Sequence, residues 1–186
     1  MSKLLYKNKW INLYESDRGF IFAERRTINS TATLLYAKDE KDYKFLLRYQ
    51  PLPELKLNKQ LHLKWTTLYP CCVTGSLESN EKPYENVIKE VLEETNYIIT
   101  KQNIKAKNIN IATTQMNEAV FTFIVDITHA KHIRKPQGDG SFFENISQNH
   151  WVSHKKLKRI LNGCDDIYLS SLASAYILFR TMILKK

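Results

Sequence analysis

The chain has 186 residues, 43% hydrophobic and 25% charged, proportions that belong to a globular protein with a proper core and exclude a disordered chain. Its 28 Lys and Arg against 19 Asp and Glu give a net charge of +9, which favours acidic partners such as nucleotides, RNA or membrane phosphates. Cys71, Cys72 and Cys164 form no C-x-x-C pair and exclude a disulfide framework, and no apolar run is long enough for a signal peptide or a membrane span, so the expected setting is cytoplasmic with no membrane partner.

In chain order, Trp10 to Tyr14 alternates apolar and polar residues and Gly19 to Arg26 does so less cleanly. Thr31 to Ala37 and Tyr43 to Tyr49 are rich in β-branched, aromatic and leucine side chains. All four read as strands, the last two joined as a hairpin through the charged turn Asp39 to Asp42. A polar loop, Leu52 to Lys64, leads to a strand, Leu68 to Val73, in which Cys71 and Cys72 read as small core residues, and then to Gly75.

From Gly75 to Tyr97 the chain collects Glu78, Glu81, Glu85, Glu90, Glu93 and Glu94 inside an otherwise basic protein. Pro83 fits the first turn of a helix, with Asn80 or Lys82 preceding or capping it, and Asn96 tolerates the left-handed conformation that ends one. Tyr84, Val87, Ile88 and Val91 recur at i, i+3, i+4 and i+7, the apolar stripe of a helix on a core. Glu90, Glu93 and Glu94 fall on a second face, at about 100° per residue. Carboxylates so placed repel one another, and a hard divalent cation such as Mg²⁺ reverses the sign of that interaction. The alternative is a solvated acidic face.

Ile98 to Ile111 holds a linker and a strand, and Ala119 to Ile127, apolar on both faces, is predicted to lie centrally in the sheet. Residues 129–150 form a long loop rich in charge and glycine, a common setting for function. His129, His132, His150 and His154 lack zinc-site spacing with cysteine and read as loop and surface residues. Trp151-Val152 is a short strand, Ser153 an N-cap, and His154 to Leu161 a basic helix ended by Asn162-Gly163. Lys155, Lys156, Lys158 and Arg159 touch RNA or a polyphosphate, or simply face solvent; with no interleaved aromatics the solvated face is preferred. A final helix after Asp165-Asp166 carries the stripe Leu169, Leu172, Ala173, Tyr176, Ile177 and Ile183.

The spacing Gly75, five residues, Glu81, seven residues, Lys89-Glu90-Val91, one residue, Glu93-Glu94, one residue, Asn96-Tyr97 resembles the signature of the Nudix hydrolases, with Lys89 where the family has Arg and Asn96 where it has Gly. Lys89 keeps the charge and loses the bidentate fork of Arg. The flanking Arg48-Tyr49-Gln50-Pro51 and Tyr69-Pro70 look like the ADP-ribose pyrophosphatase branch. That branch usually has Gln-Tyr-Arg-Pro, Glu-Leu-Pro-Ala-Gly, and a Pro-Gly-x-x-x-Glu segment where this chain runs from Thr113 to Glu118. The substrate is thereby left open.

The resemblance implies an α+β fold, a mixed β-sheet between helices, over residues 1–186 as one domain, with residues 1–30 as an N-terminal strand pair serving the substrate site or a dimer. It implies a Mg²⁺- or Mn²⁺-dependent hydrolase that cleaves the diphosphate bond of a nucleoside diphosphate linked to another group, ADP-ribose or a related nucleotide sugar being favoured. Thr74 through its carbonyl, Glu81, Glu90, Glu93 and Glu94 are then the metal residues, with Glu81 more suited to orienting Lys89 or a water of the metal. The general base is Glu93 or Glu144, with Asp139 in reserve. Arg48 is either a surface strand residue or a contact to substrate phosphate, and Glu118 matches the acid that helps define the substrate. Removal of an RNA 5′ cap or pyrophosphate, a nucleotide-binding regulator without strong catalysis, and a homodimer stay open as alternatives.

Overall fold

The computed structural model describes residues 1–40, 42–51, 55–58, 61–63, 67–133, 145–164 and 167–184. Three antiparallel strands come first, β1 (Lys3–Lys7), β2 (Ile11–Glu15) and β3 (Ile21–Arg25), in sheet order β1-β2-β3. The expected N-terminal pair is therefore a three-stranded sheet. β1 is exposed along its whole length and carries no buried face for the alternation rule to detect.

The second sheet is built on the hairpin of β4 (Ser30–Asp39) and β5 (Asp42–Pro51), which pair with Asp39 opposite Asp42. The interval that reads as a polar loop contains a small hairpin, β6 (Leu55–Asn58) with β7 (Leu61–Leu63). β8 (Leu68–Cys71) adds to β5, and β9 (Val73–Ser76) adds to β4. After helix α1 (Pro83–Thr95), β10 (Tyr97–Ile98) precedes β11 (Ile104–Ile111) and β12 (Ala119–Asp126). β12 lies between β11 and β4, antiparallel to the first and parallel to the second, the interior place its two apolar faces require. β13 (Lys131–His132) pairs with β10, and β14 (Gln148–Ser153) closes the far side against β5. β14 is longer than the two residues read from sequence, because Gln148, Asn149 and His150 are polar and exposed and only Val152 of its six residues is buried.

Helices cover both faces of this mixed sheet, in an α+β arrangement, and strand alternation decides which side chain meets which helix. Ala32, Leu34 and Tyr36 of β4, with Phe45 and Leu47 of β5 and Ile124 of β12, share a cluster with α2 (His154–Leu161) and α3 (Ser170–Met182). Leu35, Leu46, Phe123 and Val125 point the other way and meet Val87 and Val91 of α1. Ser153 caps α2 by accepting the Lys156 N–H at 3.2 Å. The buried face of α3 is Leu172, Ala175, Tyr176 and Phe179. Ile177, assigned to that stripe from sequence, is 65% exposed, because the i, i+3, i+4, i+7 set starting at Leu172 runs through Ala175 and excludes it. His154 is also not a surface residue: its ring packs beside Phe45, Tyr176 and Phe179. No helix among the described residues is long and apolar enough to cross a membrane.

Candidate active site

Helix α1 is fixed before any of its carboxylates can act. Pro83 occupies the first turn, and Lys82 precedes it without a side-chain cap. Asn96 ends the helix at φ 64°, its N–H bonded to the Leu92 carbonyl at 3.0 Å. Val87 and Val91 are fully buried on the sheet, so the helix cannot roll without exposing them.

Gly75 sits in β9 opposite Thr31 of β4. A Cβ at Gly75 would lie 2.4 Å from Cγ of Glu90 and 2.6 Å from Oδ1 of Asn86, well inside van der Waals contact. Glycine is needed here for closeness of approach, so that α1 can lay Glu90 directly on the strand.

Asn86 is completely buried at that crossing. Its Oδ1 accepts the Thr31 hydroxyl at 2.6 Å, and its Nδ2 donates to the Ser76 carbonyl at 3.0 Å and to Glu81 Oε2 at 2.9 Å, with Glu90 Oε1 at 3.5 Å. Glu81 and Glu90, from loop and helix, are thereby drawn to one amide. Burial, and then the nearby Glu93 and Glu81, push the Glu90 carboxyl up to about 7, against the opposing effects of Lys89 and the Asn86 hydrogen bond. Lys89 itself is exposed and enters no ion pair among the described residues; Glu81 accepts from Asn86 Nδ2 and, at 3.4 Å, from the Glu78 N–H.

Glu94, one turn further along α1, has a cationic neighbour. Its Oε2 lies 3.1 Å from Nε of Arg48 on β5, both side chains largely buried, and Asn149 of β14 donates to the Glu94 carbonyl at 2.6 Å. Arg48 is 6% exposed, so it is not a surface strand residue. Cys71, below the same pair, has its thiol pushed up to about 12 by burial and then by Glu94, which keeps it unreactive. Glu93 is half-buried on α1. Among the described residues no three His, Cys, Asp or Glu side chains converge on one point. The chemistry of the donor set nevertheless suits a hard divalent cation: burial first, and then Glu93 and Glu81, disfavour the Glu90 carboxylate, and a cation would offset both.

The strand segment Thr74, Gly75 and Ser76 also lines a cavity of about 400 Å³. Across it stand Arg25, from the first sheet, and Glu118, from the start of β12. Glu118 is 9% exposed and fully engaged, accepting Arg25 Nη2 at 2.7 Å and the Ser30 hydroxyl at 2.5 Å. Arg25 has a buried Nε without a hydrogen-bond partner among the described residues. The first sheet is held in place for this purpose: Ala23 N–H bonds the Gln115 carbonyl at 2.8 Å, and Asn117 Nδ2 bonds Glu24 at 2.6 Å.

The expected residues thus divide into three groups. Glu81 and Glu90 meet through Asn86, with Glu93 beside them; Glu94 and Arg48 form a buried pair; Thr74 and Glu118 line the cavity. Glu144 and Asp139 lie outside the described residues. Asn86, Thr31 and Arg25 were not singled out from sequence. Asn86 was detectable, since it is one helical repeat before Glu90 and flanks the apolar stripe, whereas nothing local marks Arg25.

No family model matches the sequence, and no curated protein does. Among solved structures, the chain is similar to an ADP compounds hydrolase with a TM-score of 0.63, covering 100% of this chain and 92% of that one at 12% identity. At that identity the likeness establishes the fold, and chemistry has to be argued from the site.

Proposed function

We propose that this protein is a Nudix hydrolase that cleaves the diphosphate bond of a nucleoside diphosphate linked to another group, ADP-ribose or a related nucleotide sugar being the favoured class. The observation that supports this reading is the shared strand: Gly75, against which Glu90 packs, also lines the Arg25–Glu118 cavity, so a carboxylate cluster and a ligand-sized space adjoin at one glycine. The described hydrolase of ADP compounds with the same fold supports it as analogy.

In this mechanism Mg²⁺ or Mn²⁺, when bound, offsets the diphosphate charge and lowers the pKa of a water. Glu81, Glu90 and Glu93, with the Thr74 carbonyl, would hold it, and Glu94 would join them, its carboxylate positioned by Arg48. Glu93 takes the proton of the attacking water, with Glu144 as the other candidate base. Glu118 fixes the Arg25 guanidinium by a charge-assisted hydrogen bond and so holds a positive charge at the wall of the cavity, where it would attract a phosphate oxygen.

A second reading, hydrolysis at an RNA 5′ end, has one observation in its favour. Trp151 is 44% exposed and borders a groove with Lys38 and Lys44, which supplies the aromatic surface that the basic helix α2 lacks. Hydrolysis products separated by chromatography, with Mg²⁺ and with Mn²⁺, over ADP-ribose, nucleotide sugars, dinucleoside polyphosphates, nucleoside triphosphates and triphosphorylated or capped RNA distinguish the two. Turnover of ADP-ribose or a nucleotide sugar is expected. Turnover of RNA alone would favour the second reading, and tight nucleotide binding with no metal-dependent turnover would leave a regulator.

A further inference from the structure

We infer that Asn86 is a positioning residue that sets the spacing of Glu81 and Glu90 for the divalent cation, an inference that rests on the metal-dependent reading above. The amide is oriented by its own partners. The Ser76 carbonyl can only accept, so it fixes Nδ2 on its side and leaves Oδ1 for the Thr31 hydroxyl. An amide nitrogen has two protons. One is committed to Ser76, and the other lies between Glu81 at 2.9 Å and Glu90 at 3.5 Å. A single N–H therefore draws two like-charged groups toward one another, one from the loop before α1 and one from the middle of the helix.

The Glu78 N–H also donates to Glu81 Oε2, at 3.4 Å, and the link from Glu81 to Glu90 runs through Asn86. Lys89 is exposed and pairs with neither carboxylate, and the space a side chain at Gly75 would fill is taken by Asn86 and Glu90 themselves. Through Thr31 the same amide is tied to β4 at the centre of the sheet, and through Ser76 to the strand that walls the cavity. A fully buried asparagine with every proton and its oxygen engaged is costly to leave half-satisfied, so its place is over-determined.

The test compares Asn86→Ala with Thr31→Val, reading Mn²⁺ affinity by electron paramagnetic resonance and titration calorimetry and thermal unfolding of the metal-free proteins. Thr31→Val removes the anchor to the sheet and leaves both Nδ2 contacts, so it is expected to lower the melting temperature while Mn²⁺ affinity stays within about two-fold of the parent. Asn86→Ala is expected to weaken Mn²⁺ by about 10- to 100-fold, the range typical of an outer partner of a metal ligand. Equal losses of affinity in the two variants, or an unchanged affinity in Asn86→Ala, would overturn the inference, since a packing role moves both variants alike. If Asn86→Ala does not fold, Asn86→Ser, which keeps a small polar group but cannot reach the carboxylates, is read in the same way. Failure of the parent to bind Mn²⁺ would instead sink the metal-dependent reading itself, and this inference with it.

Discussion

The two faces of the central sheet use alternate residues of the same strands and do different things. Toward α2 and α3 the burial is almost wholly apolar and aromatic: Phe179 meets Tyr36 and Tyr43 at 5.2 Å and Phe45 at 4.9 Å between ring centroids, in the edge-on geometry that aromatic pairs prefer. Toward α1 the same strands bury Thr31, Thr33 and Arg48 beside Leu35 and Leu46, and the helix answers with Asn86, Glu90 and Glu94. Thr31 and Asn86 are held there by hydrogen bonds to each other and to their neighbours, and Arg48 and Glu94 by mutual attraction. One face supplies stability, and the other holds charged groups that a core would otherwise reject.

Substitutions on the two faces should therefore fail in opposite ways. The largest effect is expected from Phe179→Ala, which opens the aromatic cluster and should cost about 3–5 kcal/mol of folding stability in chemical denaturation. Below its melting point the variant should keep the turnover number of the parent; a large drop in kcat would mean that the faces are not separable. Glu90→Gln is the mirror case. It should lower kcat/KM by about 100-fold or more, close to 2.7 kcal/mol, because it removes the carboxylate that Gly75 makes room for, while the melting temperature is unchanged or higher. If Glu90→Gln turned over nucleotide substrates as fast as the parent, the assignment of this face to chemistry would fall.

Gly75→Ala lies on the boundary and should touch both properties. The added Cβ would meet Glu90 and Asn86, and Glu90 packs between helix and strand, so the contact has to be relieved by moving the site itself. Overpacking of this kind costs about 1–3 kcal/mol. Activity should fall with it, and a crystal structure should show Glu90 displaced. An active and fully stable Gly75→Ala would show that the close approach is dispensable.

Much of this division was legible in the chain. The runs of β-branched, aromatic and leucine residues from Thr31 to Ala37 and Tyr43 to Tyr49 carry the hairpin, and the stripe of Val87 and Val91 with Asn96 at the end carries α1. What escaped was whatever depends on another element. β1 has no buried face, and the buried set of α3 shifts to Ala175 and Phe179 once the sheet chooses a side. Arg25 becomes a site residue only because Glu118, distant in sequence, reaches its guanidinium. Asn86 was closest to being legible, as a polar residue bordering an apolar stripe and one repeat from Glu90. Its meaning still required the Ser76 carbonyl to orient it.

The smallest expected effect concerns the apolar face, where one titratable group is packed among the aromatics. His154 Nε2 lies 2.7 Å from the Tyr176 hydroxyl, and its Nδ1 lies 3.7 Å from Asp42. Burial holds the imidazole below its usual value of 6.5, Lys158 and Arg180 act in the same sense, and Asp42 opposes them. The unfolded chain therefore binds a proton at a higher pH than the folded one does. The contribution of neutral His154 to stability is fully present above about pH 6.5 and is lost as the pH falls through its lowered folded-state value. Urea denaturation at successive pH values from 7.5 to 5 should show a modest fall for the parent and a shallower one for His154→Asn, whose side chain does not titrate. Solvent reaches part of the ring, so the difference should be smaller than that of any substitution above. Parallel pH profiles for the two proteins would show that this aromatic face is indifferent to charge.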